Sequence, residues 1–486
     1  WSGGRGWRRD AAHPAAWVVV AHAAALLAVA VPLQWDGKGV ALGWGAQVLV
    51  AAWACRQHGQ RWLSLHAAGT ALLALGHLAC FEGSQLSGAT AFLSFGPWSL
   101  STPLVAFLAV AGACLLGGLL LAGEVPVAAH TLAIISSLAA LGGSVGAFPS
   151  FAGTLPAWLW AGGLFALAAS RWEPLRKHAW GVSLALLGKL WLWDVLVGGG
   201  WQAAAVGTSL LNLRVLAVAS SVAAFGFVGL SDRKASEQAR ALAVLLAVLG
   251  LLGGVSMEIH RAFVGAKPEP GFLPFDERFV FTAVWASGVL ALSWLVASLP
   301  ALRPAAWALA GLVLAKFWLS DVCLRGGWEA LSVPRLVLSP RSLAALMAVS
   351  VSAALAWKDR EAPRGLRAAA AVLAAVTLLG WASLEIHRAF VGMLAEPRHL
   401  SDGEQIAHSA AWALGAATAL AVGFLRRQRP VRIGGLAGIG LVALKVLLID
   451  LAGVATIYRV GILFVLGILS LGASYAYHKL GKGEAG

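Results

Sequence analysis

The sequence predicts an all-α, polytopic integral membrane protein of about sixteen transmembrane helices, arranged as tandem parallel four-helix repeats. Three observations predict it. Of 486 residues, 59% are hydrophobic and only 12% are charged, about half the charged share of a soluble domain. Apolar runs of roughly twenty residues, the length that crosses a hydrocarbon core, recur along the whole chain. The chain also matches itself when shifted by 127 residues, the step from His260 to His387.

In order, the predicted helices span 14–34, 39–55, 62–81, 102–122, 126–147, 155–171, 178–197, 213–231, 240–259, 279–299, 305–324, 341–357, 366–386, 405–425, 433–451 and 457–478. No large soluble domain fits between them. Gly and Pro are frequent within them, which membranes tolerate where neighbouring helices re-satisfy the backbone, and the many small residues favour close packing. Trp98, Trp201 and Trp328 fall near helix ends, as interfacial anchors do.

Alternate loops are short and basic: RGWRR (5–9), RQHGQR (56–61), RWEPLRK (171–177), SDRKASEQAR (231–240), WKDREAPRGLR (357–367), RRQRPVR (426–432) and HKLGK (478–482). The positive-inside rule places this set in the cytoplasm of a bacterial inner membrane, with both termini. It also accounts for the net charge of +14 without nucleic acid. The implied partners are membrane lipids and other membrane or envelope proteins. The chain starts at Trp1, without a Met, so the native protein is expected to begin earlier; the first apolar run is long and another span follows at once, so a cleavable signal is not expected there.

The self-match runs without a gap for more than a hundred residues. It pairs Lys189 with Lys316, Asp194 with Asp321, Gly199-Gly200-Trp201 with Gly326-Gly327-Trp328, and Arg214 with Arg341. It also pairs Asp232-Arg233 with Asp359-Arg360, Glu277 with Glu404, and EIHRAFVG at 258–265 with its copy at 385–392. Each unit has four helices. The first carries Lys-x4-Asp, the second opens with Arg, the third ends in Glu-Ile-His-Arg, and the fourth follows an acidic residue. The expected divisions are a half unit (1–61), a degenerate unit (62–175), two full units (176–302 and 303–430) and a terminal half unit (431–486) carrying Lys445, Asp450 and Arg459. In the degenerate unit His77 and Glu82 stand at the Lys and Asp places, and no EIHR follows.

Two blocks carry a family resemblance. GGLAGIGLVALKVLLIDLAGVATIYRVGILFVLGILSLGASYAY (434–477) has Lys445, Asp450-Leu451 and Tyr458-Arg459 before a last helix. VPLQWDGKGVALGWGAQVLVAAWACRQHGQRWL (31–63) has Pro, a Trp/Gly-rich turn and a helix ending in a basic loop. Both resemble a large bacterial family of predicted membrane proteins, catalogued as domain of unknown function twenty-three thirty-nine. The resemblance covers most of the chain and implies a many-helix inner-membrane protein. It brings no catalytic residues.

The candidate polar cavity comprises Lys189, Asp194, Arg214, Glu258, His260 and Arg261, then Lys316, Asp321, Arg341, Glu385, His387 and Arg388, with Lys445, Asp450 and Arg459 from the terminal half unit. A mid-helix lysine costs roughly 2.5–3.5 kcal/mol on insertion scales, so these lysines should face the bundle interior. On an α-helix, residues five apart lie roughly 140° around the axis. Lys and Asp of one helix are therefore expected to seek partners on other helices, Asp194, Asp321 and Asp450 pairing with Arg214, Arg341 and Arg459. Ion-pair stitching of the fold and a ligand site both fit such residues. Glu258–Arg261 and Glu385–Arg388 are i,i+3 and can pair on one face. Glu and His at i,i+2 point about 160° apart, which disfavours metal ligation by His260 and His387.

No Walker A loop, nucleophile elbow or dinucleotide fingerprint occurs, and no cofactor is expected. The four cysteines (Cys55, Cys80, Cys114, Cys323) lie in or beside apolar runs without metal spacing. The expected function is non-enzymatic: an envelope component with an outward-facing polar cavity that binds or passes an amphiphile, glycan or anion, or a scaffold of a membrane assembly. The alternative is a membrane enzyme acting on envelope lipid or glycan, with Glu258 or Glu385 as acid/base.

Overall fold

The computed structural model describes residues 14–446 and the single residues 468 and 471, apart from 35–36, 87–90, 96–97, 149–150, 171, 203–211, 265–273, 330–338, 392–400, 426 and 428. Fifteen α-helices are described, and twelve helices are long and apolar enough to cross a membrane. The chain divides into two compact units, 1–269 and 270–486.

The first unit holds α1 (Pro14–Gln34), α2 (Lys38–His58), α3 (Arg61–His77), α4 (Thr102–Leu121), α5 (Pro126–Ala147), α6 (Phe151–Ser170), α7 (Leu175–Gly188), α8 (Leu213–Leu230) and α9 (Glu237–Val264). Fully buried alanines such as Ala41, Ala52 and Ala67 let α2 and α3 approach closely. Large rings then fill the centre of the unit: Trp158 and Phe165 on α6 meet Phe225 on α8 and Trp180 on α7. Helix ends carry ordinary stops and starts. Gly59 closes α2 in the left-handed region, its N–H donating to Cys55 O at 2.8 Å. Asn212 caps α8 by accepting from Val215 N at 2.9 Å.

The second unit holds α10 (Phe275–Leu295), α11 (Arg303–Ala315), α12 (Pro340–Lys358), α13 (Arg364–Val391), α14 (Asp402–Leu425) and α15 (Arg429–Lys445). Ser339 caps α12 through Ser342 N, with Pro340 at the first helical position. Phe279, Phe317, Val322, Ala344 and Ala345 pack together where α10, α12 and the segment that follows α11 meet. In the first unit Phe151, Leu190, Val195, Ala217 and Val218 form an apolar cluster between α6, α8 and the segment that follows α7.

Described helices stand at the first fifteen expected places, twelve of them long and apolar enough to cross a membrane, and the last residues of the fifteenth, 447–451, lie outside the described residues. The sixteenth, 457–478, lies almost wholly outside the described residues. Two features depart from the expected pattern. An antiparallel hairpin pairs Ala91–Phe95 with Trp98–Ser101 between α3 and α4. Three of the helices also change winding before they end: π-helical segments run over Leu78–Glu82 (π1, after α3), Lys189–Val197 (π2, after α7) and Lys316–Leu324 (π3, after α11). The i→i+5 bonds of a π-helix are rare and occur frequently at functional sites.

Candidate functional site

The π-helical turns decide where the lysines go. An i→i+5 turn brings residues five apart above one another. Lys189 Nζ accordingly donates to both Asp194 carboxylate oxygens at 2.8 Å, within one helix. Lys316 Nζ reaches Asp321 Oδ2 at 2.7 Å in the same way. This corrects the expectation that each lysine and each aspartate must find its partner on another helix. That expectation assumed α-helical winding, and the winding is different at these residues.

A hydroxyl from the preceding helix completes each pair. Thr154 on α6 accepts from Lys189 Nζ at 2.7 Å and donates to Asp194 Oδ2 at 2.6 Å. Thr282 on α10 accepts from Lys316 Nζ at 2.6 Å and donates to Asp321 Oδ2 at 2.5 Å. Lys445 Nζ meets Ser409 Oγ on α14 at 2.6 Å and Gln405 O at 3.2 Å. These three hydroxyl residues were missed by sequence reasoning. Their signal was present, since a Thr or Ser lies 34–36 residues ahead of each lysine. Asp450 and Arg459 lie outside the described residues.

The arginines that open α8 and α12 also pair differently from expectation. Arg214, 1% exposed, donates through Nε and Nη2 to Glu258 Oε1 at 3.1 and 2.8 Å, not to Asp194. Arg341, fully buried, donates through Nη2 to Glu385 Oε1 at 3.0 Å, not to Asp321. The aspartates are already held by Lys and Thr, so the arginines turn to the carboxylates of α9 and α13. Arg261 donates to Glu258 Oε2 at 2.7 Å, and Arg388 lies 3.6 Å from Glu385, the i,i+3 pairings that the spacing allows.

The Gly-Gly-Trp turns serve this network. Gly199 and Gly326 adopt φ of +67° and +68°, a region that favours glycine. A Cβ on Gly200 would stand 2.4 Å from Asp194 O, and one on Gly327 would stand 2.1 Å from Asp321 O. Only glycine lets the chain fold back onto the end of the π-helix. The carbonyls so presented accept from the arginines: Arg214 Nη1 to Gly200 O at 2.8 Å, and Arg341 Nη1 to Gly327 O at 3.1 Å. Trp201 and Trp328 stay exposed beside these turns.

The histidines of the two copies have different described surroundings. His260 is buried, and its ring lies 6.0 Å from that of Trp201. His387 Nδ1 is 2.5 Å from Glu404 Oε1, a buried carboxylate that also has His408 Nε2 at 3.5 Å. Among the described residues no group of three or more His, Cys, Asp or Glu is placed to hold a metal ion. Cys55 and Cys114 are buried; Cys80 and Cys323 are exposed, and all four are free thiols.

At the basic-loop end a second set of pairs recurs. Arg176 Nε donates to Asp232 at 3.0 Å, and Arg303 Nε donates to Asp359 at 2.9 Å. Trp307 Nε1 adds a bond to Asp359 at 2.9 Å, and Arg303 also pairs with Glu361. A cleft of about 320 Å³ opens between α4, α5 and α6, lined by Leu108, Leu115, Leu159, Trp160 and Leu164. It is apolar, and none of the candidate polar residues lines it.

Long apolar helices with charges paired between and within them define a polytopic helical membrane protein. The chain belongs to the family described as "Predicted membrane protein (DUF2339)", whose match covers residues 4–480. No curated protein and no solved structure matches it.

Proposed function

We propose that the chain is a non-enzymatic envelope component of the bacterial inner membrane, with both termini cytoplasmic, that serves as the membrane scaffold of a larger assembly. In this reading it is built from tandem four-helix units. One observation carries it. Each described Lys, Arg, Asp and Glu of the repeated motif meets an opposite charge, a hydroxyl or a backbone carbonyl inside its own bundle. Groups so engaged hold helices in register and offer little to a ligand. Burying charges is costly unless they are paired and hydrogen-bonded; these are paired, and most of their polar atoms are hydrogen-bonded, Asp321 Oδ1, Arg341 Nε and Arg388 Nη1 being exceptions. Its partners are membrane lipids and other membrane or envelope proteins.

The competing readings draw less support. An outward cavity for an amphiphile, glycan or anion needs open polar walls, and the described cleft is apolar. Acid/base work by Glu258 or Glu385 needs a carboxyl free to exchange a proton with substrate; each has two guanidiniums beside it.

The test is Glu258→Gln in a strain that depends on the protein. The scaffold reading expects folded yield and thermal stability in detergent to fall together with complementation. Loss of complementation at unchanged yield and stability overturns it in favour of a site.

A further inference from the structure

We infer that Glu82 is an exchangeable site for a small monovalent cation, the proton included, which takes the place that a lysine ammonium fills elsewhere in the chain. Glu82 ends π1 as Asp194 and Asp321 lie in π2 and π3, in each case five residues after a basic side chain. In π2 and π3 the basic residue is lysine, and it neutralises the acid directly. Before π1 it is His77, whose ring points elsewhere: Nε2 lies 2.9 Å from Gly37 O. A carbonyl only accepts, so that nitrogen carries its hydrogen and is committed to the backbone. The ring is further held by Phe81 and Trp44, at 4.9 and 6.0 Å.

Glu82 is thereby left buried, 2% exposed, with Oε2 enclosed and without a hydrogen-bond partner. The hydroxyl of Ser101, just before α4, is equally buried and equally unpartnered, and α4 packs on π1. The ionisable groups on the elements around this turn are few. Besides His77, α2 brings Lys38, which makes no ion pair with Glu82. The helix α4 brings only the thiol of Cys114. The helix α5 brings His130, which bonds His178 at 2.8 Å near the other end of that helix. Among the described residues no cation pairs with the carboxylate. A bare buried carboxylate is costly enough that such groups neutralise instead. Compensation must come from outside the fold, as a proton or as an alkali or ammonium ion.

The experiment uses the full-length protein in native membranes and a hydrophobic carbodiimide, with the modified residue located by mass spectrometry. This reagent takes the proton of a buried acid and adds to its carboxylate oxygen. Glu82 is expected to label, and labelling is expected to decline as pH rises. A decline on adding sodium or ammonium at fixed pH identifies that ion as a competing occupant; indifference to both identifies the proton. Asp194, held by Lys189, is expected to stay unmodified. His77→Lys restores a built-in ammonium five residues ahead of the acid and is expected to remove labelling at Glu82. The inference is overturned if Glu82 does not label at any pH, if labelling ignores pH and ions alike, or if folded His77→Lys protein labels as the unsubstituted protein does. Should His77→Lys not fold, the pH and ion series on the unsubstituted protein decides alone.

Discussion

Lys189 and Asp194 are joined at 2.8 Å along a single helix because that helix is π-wound where they stand. Thr154 binds both, so a cation, an anion and a hydroxyl close one buried triangle. The triangle joins α6 to the helix that carries the pair. Its energetics are those of a buried pair: removing one member is expensive, whereas removing both need not be.

Lys189→Met should therefore destabilise the protein by about 3–5 kcal/mol, since it strands Asp194 in the bundle. The double substitution Lys189→Met with Asp194→Leu should recover most of that loss. Thermal unfolding in detergent measures both. A double variant as unstable as the single one would show that the pair does more than neutralise itself.

The tight turns make a second prediction. Gly200→Ala places a Cβ 2.4 Å from Asp194 O and against the Phe151 ring, and Gly327→Ala does the same against Asp321 O and Phe279. Each should cost roughly 1–3 kcal/mol by overpacking. Gly181→Ala is the control: it lies inside α7 with open space around it and should gain up to about 1 kcal/mol in helix propensity. The ranking of three unfolding temperatures checks this.

At the basic-loop end, Asp359 and Glu361 both pair with Arg303, but only Asp359 is buried and also holds Trp307. Asp359→Asn should lower the unfolding temperature clearly. Glu361→Gln should change stability by less than about 1 kcal/mol, as exposed pairs do. Equal effects would contradict the burial argument.

The arginines offer a fourth test. Arg214→Lys keeps the charge but cannot span Glu258 Oε1 and Gly200 O with a planar fork. It should be less stable than the unsubstituted protein, and the loss should resist added salt, because the pair is buried. A loss that shrinks as ionic strength rises would place the pair in water.

Much of the candidate site could be read from the residues. The lysines, aspartates, arginines and EIHR glutamates that structure brings together were all marked by their 127-residue spacing, and the i,i+3 partners of the two glutamates followed from helix geometry. The partners of the lysines did not follow. Thr154, Thr282 and Ser409 are unremarkable hydroxyl residues in apolar helices, and they become visible only once the lysines are known to point at them. The arginines were matched to aspartates that the lysines had already taken.

Hydropathy, charge alternation and self-similarity are properties of a one-dimensional string, and by themselves they determined the membrane class, the places of the described helices and the residues of the charge network. The tertiary structure alone decided which charges meet. Residues five apart diverge on an α-helix and stack on a π-helix, and the choice between the two windings is a local balance. Buried Lys and Asp, a hydroxyl on the neighbouring helix and a glycine turn that admits no Cβ tip it together, and that balance exists only when the helices are packed.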